Sequence, residues 1–150
     1  MATNATEQLT VSAILIDRWD RIGQKLAGLA AEIPESKFDY RPADGVRTIG
    51  DVLRHVAFWN RYVADSARGK AADDRTNELP ADRFSTKAQI LEALSQSAAD
   101  AGEALKETRA GLSPDQTAMV TSFIEHTCEH YGQIVVYARM NGIVPPASRG

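Results

Sequence analysis

The apolar residues of this chain step by three and four along four long stretches, and no stretch alternates with period two for long enough to make a strand. Such steps keep side chains on one face of a helix, and that face must be buried against something. The first stretch runs from Thr10 to Ile33 with Val11, Leu15, Trp19, Ile22, Leu26, Leu29 and Ile33 in one stripe, and Pro34 ends it. Thr48-Ile49-Gly50-Asp51 reads as a capping box that opens the second helix. Its stripe is Ile49, Val52, Leu53, Val56, Trp59 and Val63, and it fades near Arg68-Gly69. The third runs from a cap at Ser85 to Arg109 through Ile90, Leu91, Leu94, Ala98, Ala101 and Leu105. The fourth covers Asp115 to Asn141 after a Ser113-Pro114 start signal. Gly142 is its left-handed cap, and Pro145-Pro146 prevents continuation.

Residues 34–47 hold two prolines and a glycine and read as a loop with at most one short turn. Residues 70–84 are polar, contain Pro80, and read as a long exposed connection. Four amphipathic helices can bury their faces only on each other, so the expected class is all-α: a four-helix bundle in one domain over residues 1–150. The long second connection leaves room for a crossover in place of a simple up-down order.

Charge and cysteine content exclude several roles. The 17 basic residues are outnumbered by 20 acidic ones and form no run, which argues against nucleic-acid binding through counterion release. The longest apolar run near the N-terminus, Val11 to Ile16, is broken by Ser12 and ended by Asp17. It is too short to span a membrane and lacks a signal-peptide layout. The one cysteine, Cys128, excludes an internal disulfide and leans towards a reducing compartment. The expected location is the cytoplasm, with no membrane partner.

All three histidines fall on predicted helices. His126 and His130 are four apart in Glu125-His126-Thr127-Cys128-Glu129-His130, one turn and about 6 Å of rise on one helical face. Two imidazoles so placed can converge on one ion at about 2.0–2.1 Å each. His55 lies on the second helix. The stripe through it holds Thr48, Asp51, Val52, Trp59 and Tyr62, and the stripe through the pair holds Phe123, Gln133, Ile134 and Tyr137. Facing each other, the two stripes would make a metal centre with Trp59, Tyr62, Phe123, Gln133 and Tyr137 as its substrate pocket, apolar with a few polar groups. Asp51 has the plain role of a cap and a second candidate role orienting His55. Imidazoles suit zinc, nickel, iron or copper.

His126-Thr127-Cys128-Glu129-His130 also fits the H-x-x-E-H pattern of one class of zinc proteases. Those need a downstream glutamate ligand and a much larger fold, whereas this chain supplies a third histidine upstream. Cys128 is two positions from each histidine, nearly opposite on the wheel, and reads as a small packing residue.

Three segments together resemble the DinB-like (DinB/YfiT-like) superfamily of metal-binding four-helix bundles. Tyr40-Arg41-Pro42 through Thr48-Ile49 to His55 is similar to the family's R-P … T/S-I … H approach to the second helix. His126-Thr127-Cys128-Glu129-His130-Tyr131-Gly132-Gln133 is similar to its H-x-x-x-H-x-G-Q signature, and Gly142-Ile143-Val144-Pro145-Pro146 to its usual ending. The family's metal triad then falls on His55, His126 and His130. Arg47 departs from it, standing where many relatives carry an aromatic residue. The resemblance implies an up-down-down-up bundle, a divalent metal (zinc, nickel or iron) and frequent homodimers. It also implies thiol-dependent enzymes: S-transferases using bacillithiol, mycothiol-dependent isomerases and relatives. The functional expectation is therefore a metal-dependent S-transferase that uses a low-molecular-weight thiol such as bacillithiol, mycothiol or glutathione on a small electrophile. The alternatives, a metal-dependent hydrolase and a non-catalytic metal or small-molecule binder, use the same residues.

Overall fold

Each helix begins where a side chain can replace the backbone partner that its first amides lack. The structure, a computed structural model, describes residues 10–108 and 110–150. Helix α1 spans Val11–Glu32, α2 Ile49–Ala67, α3 Lys87–Lys106 and α4 Pro114–Met140, with short 3-10 turns at Glu35–Lys37 and Pro146–Ser148. Thr10 Oγ1 accepts from the amide of Ala13, 3.2 Å away. At α2 the expected capping box forms: the Asp51 amide donates to Thr48 Oγ1 and the Thr48 amide to Asp51 Oδ2, each at 3.1 Å. Helix α3 starts later than expected. Thr86, not Ser85, is its cap, because Gln89 stands three residues on and its Oε1 accepts the amides of both Ser85 and Thr86. The expected end of this helix at Arg109 lies outside the described residues. Ser113 caps α4 with Pro114 in the first turn, and Gly142 (φ +75°) follows its end in the left-handed conformation that favours glycine.

Cross-links between helices give their directions. The Lys87 amide donates to Glu35 Oε1 at 2.9 Å and Lys87 Nζ to the Ala31 carbonyl at 2.7 Å, so α3 starts where α1 ends. Lower down, Trp19 Nε1 donates to the Ala98 carbonyl at 2.9 Å, which makes α1 and α3 antiparallel. Helices α2 and α3 run parallel: Arg54 reaches the Phe84 carbonyl, Asn60 reaches Ser97, and Arg68 reaches Asp100 and Glu107 in turn. Gln116 bonds the end of α2 and Tyr137 bonds the Arg47 carbonyl just before its start, so α4 runs back up. The order is up-down-down-up, with residues 68–86 as the crossover. Helices α1 and α2 each pack on both α3 and α4, so α1 and α2 sit on one diagonal.

The core falls into two clusters. The upper one joins Leu26, Leu29, Ile33, Ile49, Leu53, Ile90 and Ile134. The lower one joins Trp19, Val63, Ala101, Leu105 and Val120. Each such large apolar side chain gains about 1.5–3 kcal/mol on burial. Of the four sides, α2 against α4 is the most loosely packed, and there the histidines lie.

The crossover departs from its expected exposure at one point. Leu79 is buried, and its amide donates to the Arg54 carbonyl at 3.4 Å. Arg54 Nη1 in turn donates to the Phe84 carbonyl at 3.0 Å. The loop is thus fastened over α2 at two places. Among the described residues no helix is long and apolar enough to cross a membrane.

Candidate metal centre

His55, His126 and His130 converge at mid-height between α2 and α4. Their ring centroids form a near-equilateral triangle with sides of 4.9, 4.9 and 4.5 Å. One nitrogen from each lies within 4.8 Å of the other two, an arrangement that could hold a metal ion. The Nε2 atoms of His55 and His126 are 2.9 Å apart. Two nitrogens about 2.1 Å from a common ion stand about 2.9 Å apart at a right angle and about 3.4 Å at a tetrahedral one, so the donor set fits such an ion.

The tautomers follow from the partners. His55 Nδ1 faces the Asn77 carbonyl oxygen, which only accepts, so Nδ1 carries the proton and Nε2 a lone pair. On α4 a relay sets the second tautomer. Tyr137 donates its hydroxyl proton to the Arg47 carbonyl at 3.2 Å, and so accepts from Gln133 Nε2 at 2.8 Å. That turns Gln133 Oε1 to His130 Nδ1, 2.9 Å away, which must donate. Both outer nitrogens are thereby protonated, and His55 and His130 each keep an Nε2 lone pair, the arrangement metal-ligating histidines use.

Burial keeps two of the rings neutral. Desolvation pushes His55 down to about 4; the nearby Arg47 and His130 push the same way, and the Asn77 hydrogen bond opposes them. Desolvation likewise lowers His126 to about 4, with His130, His55 and Arg47 adding to it. A neutral imidazole is the form that binds metal.

The expected pocket residues flank the triad on two sides. Trp59, Tyr62 and Phe123 form an aromatic cluster, Trp59 stacked on Phe123 at 5.5 Å and Tyr62 5.7 Å from Phe123. Trp59 meets His55 edge-on at 6.4 Å, and Phe123 meets His126 edge-on at 5.8 Å. Gln133 and the buried Tyr137 stand on the other side, in the relay behind His130. Asp51 bonds Thr48 and Arg54, and the Asn77 carbonyl rather than Asp51 is the partner of His55. Cys128 is exposed, not packed, because it points away from the bundle as its place on the wheel requires. Glu129 is exposed as well and outside the cluster, so the protease-like pattern is not assembled.

The family pattern described as DinB_2, DinB superfamily, matches residues 18–134. The chain belongs to the DinB superfamily. The match spans α2, the crossover and the histidine pair of α4, and with them all three histidines of this DinB-superfamily protein. No curated protein matches the chain.

Sequence reasoning missed Asn77, Glu78 and Leu79. The main chain of Asn77 holds His55, and Glu78 Oε1 accepts from Arg47 Nε at 2.7 Å. A backbone carbonyl has no sequence signature. The one available signal was Leu79, with Phe84 one of only two large apolar residues in a polar stretch, which mark points where such a loop can be pinned.

Proposed function

We propose that this protein is a metal-dependent transferase that joins a low-molecular-weight thiol to a small electrophile. The observation that carries this reading is the convergence of three imidazoles with no carboxylate among them. His55, His126 and His130 would hold zinc, nickel or iron. A divalent ion with three neutral ligands keeps its charge, and the chemistry it supplies is a lowered pKa for a bound thiol or water.

The chain's own groups do the rest. Asn77 and Gln133 keep the Nδ1 protons of His55 and His130 outward and the lone pairs inward. Trp59, Tyr62 and Phe123 give one side of the site an apolar wall for the electrophile. On the other side a shallow groove lined by His130, Gln133, Arg47 and Glu78 opens to solvent and lets the thiol in. The thiol gives up its proton to solvent there, its sulfur bonds the electrophilic carbon, and the leaving group departs with the electron pair of the broken bond.

The test assays zinc-, nickel- and iron-loaded protein with bacillithiol, mycothiol and glutathione against a chloro- or epoxide-bearing electrophile, with His130→Ala alongside. Thiol-dependent turnover lost in the variant is the expected result. Turnover without thiol that is lost in the variant would put a hydrolase in its place, binding without turnover a small-molecule binder, and equal rates in both proteins would take the reaction away from the triad.

The working unit is a homodimer. Exposed apolar side chains support this at two places, Val11 and Ile14 at the start of α1 and Val136 and Met140 near the end of α4, at opposite ends of the bundle. Trp19 takes no part, because it is buried in its own core at 3% exposure. Light scattering that reports a monomer at micromolar concentration would end this idea.

A further inference from the structure

The groove beside His130 carries an arginine whose donors are mostly uncommitted. A guanidinium has five N–H groups. Only Nε of Arg47 has an acceptor among the described residues, Glu78 Oε1 at 2.7 Å. The side chain is about one-third exposed, and the four Nη hydrogens remain for water or a ligand. Both ends of the residue are held. Its carbonyl accepts from Tyr137, the last member of the relay that orients His130, and its tip is tied to Glu78 on the fastened crossover. Arg47 is therefore fixed relative to His130, and the two line one groove.

The charges around that groove balance in three pairs, so selection of an anion rests on the free Nη donors of Arg47. Asp51 is already neutralised by Arg54, and Glu78 by Arg47. Arg41, the second cation of the lining, has only Asp44 for company, at 4.0 Å and fully exposed. The first amides of α2 do not compete for an anion, since Thr48, Ile49, Gly50 and Asp51 donate to Asp51, Tyr40, Phe38 and Thr48 respectively. Recognition there falls to the guanidinium, whose paired Nη donors match the two oxygens of a carboxylate.

We propose that Arg47 anchors a carboxylate of the small molecule that reacts at the histidine triad, so that the substrate class is a carboxylate-bearing thiol or electrophile. This deepens the transferase reading and rests on it for what happens at the triad, but the carboxylate site itself needs no metal. Glu78 holds Nε and aims the fork; the ligand takes the Nη side. Arg41 adds long-range attraction at the rim.

The experiment titrates the metal-free full chain with succinate and with its uncharged isostere succinamide, following the Arg47 Nε–H signal by NMR in the wild type and the heat of binding by calorimetry in every variant. Succinate should shift that signal and succinamide should not. Arg47→Gln should weaken succinate binding by about tenfold to a hundredfold. Arg47→Lys should recover only part of it, because an ammonium lacks the fork. Glu78→Gln keeps the acceptor and removes a like charge, and should tighten binding. Circular dichroism of each variant checks the fold, since an ion pair about one-third exposed contributes little to it. Succinate binding no tighter than succinamide binding, or unchanged in Arg47→Gln, overturns the proposal. Carboxylate binding in a protein without thiol transfer supports this site and sinks the transferase reading. Thiol transfer whose KM for a carboxylate-bearing thiol is the same in Arg47→Gln overturns this site and leaves the transferase reading standing.

Discussion

His126 Nε2 lies 2.9 Å from His55 Nε2 across the α2–α4 side of the bundle, though the two residues are 71 positions apart in sequence. The His55 nitrogen is a bare lone pair, because its proton is on Nδ1 facing Asn77. Without an ion, His126 must place its own proton in the gap; with one, both nitrogens become ligands. The contact is thus a neutral N–H···N hydrogen bond whose two nitrogens are spaced to become ligands.

Metal content follows directly. The purified protein should carry one divalent transition metal per chain, and His126→Ala should lose most of it, because two imidazoles make a poor site. The variant should still fold, with a loss below about 2 kcal/mol, since the apolar clusters lie above and below the triad. Elemental analysis showing full occupancy in His126→Ala would refute the assignment.

The pH dependence of the metal-free protein has a definite sign. His55 and His126 are lowered to about 4 when folded and titrate near 6.5 when unfolded. Between those values the unfolded chain binds more protons, so stability falls as pH drops from about 6.5 towards 4 and levels off below. Urea melts across this range should show the fall, and a His55→Gln, His126→Gln double variant should flatten it. An unchanged slope in the double variant would mean that other groups carry the effect.

Gln133 would act on a bound metal through His130, whose Nδ1 it faces. Gln133→Leu keeps the size and removes the acceptor of the His130 Nδ1 proton. Loss of such a partner typically costs 10–100-fold in affinity, so the metal dissociation constant should rise by about that factor. Competition with a chromophoric chelator measures it, and equal affinities would show that the relay is idle.

Leu79 is the pin of the crossover. Leu79→Ala should destabilise by about 2 kcal/mol and should also weaken metal binding, because the carbonyl of Asn77 two residues earlier then loses its fixed place against His55. Hydrogen exchange at 77–79 should rise with it. Destabilisation with metal affinity untouched would separate the loop from the centre.

The helices and the pairing of His126 with His130 were legible in the sequence because they rest on local rules. Periodicity of three and four, the Thr48–Asp51 box, the Ser113-Pro114 start and Gly142 each act within a few residues, and each stands where local chemistry placed it. Ser85 lost its role to Thr86 for a reason equally local, the spacing to Gln89. The facing stripes offered His55 as the third ligand, and the resemblance to the DinB-like family placed the same triad and added the order of the helices.

Other features were decided only by packing. Gln133 and Tyr137 share a helical face with the pair, but only the meeting of α4 with the Arg47 carbonyl sets the direction of their hydrogen bonds, and with it which nitrogen His130 offers. Asp51 was within reach of His55 by spacing, yet Arg54 and Thr48 occupy its oxygens. The strongest case is residues 77–79: a polar loop without periodicity supplies a backbone carbonyl, a carboxylate and an apolar anchor to α2. A side-chain pattern records which face of a helix is buried. It does not record where a main-chain oxygen comes to rest when parallel α2 and α3 force the chain between them to cross the length of the bundle, and that crossing is what completes the site.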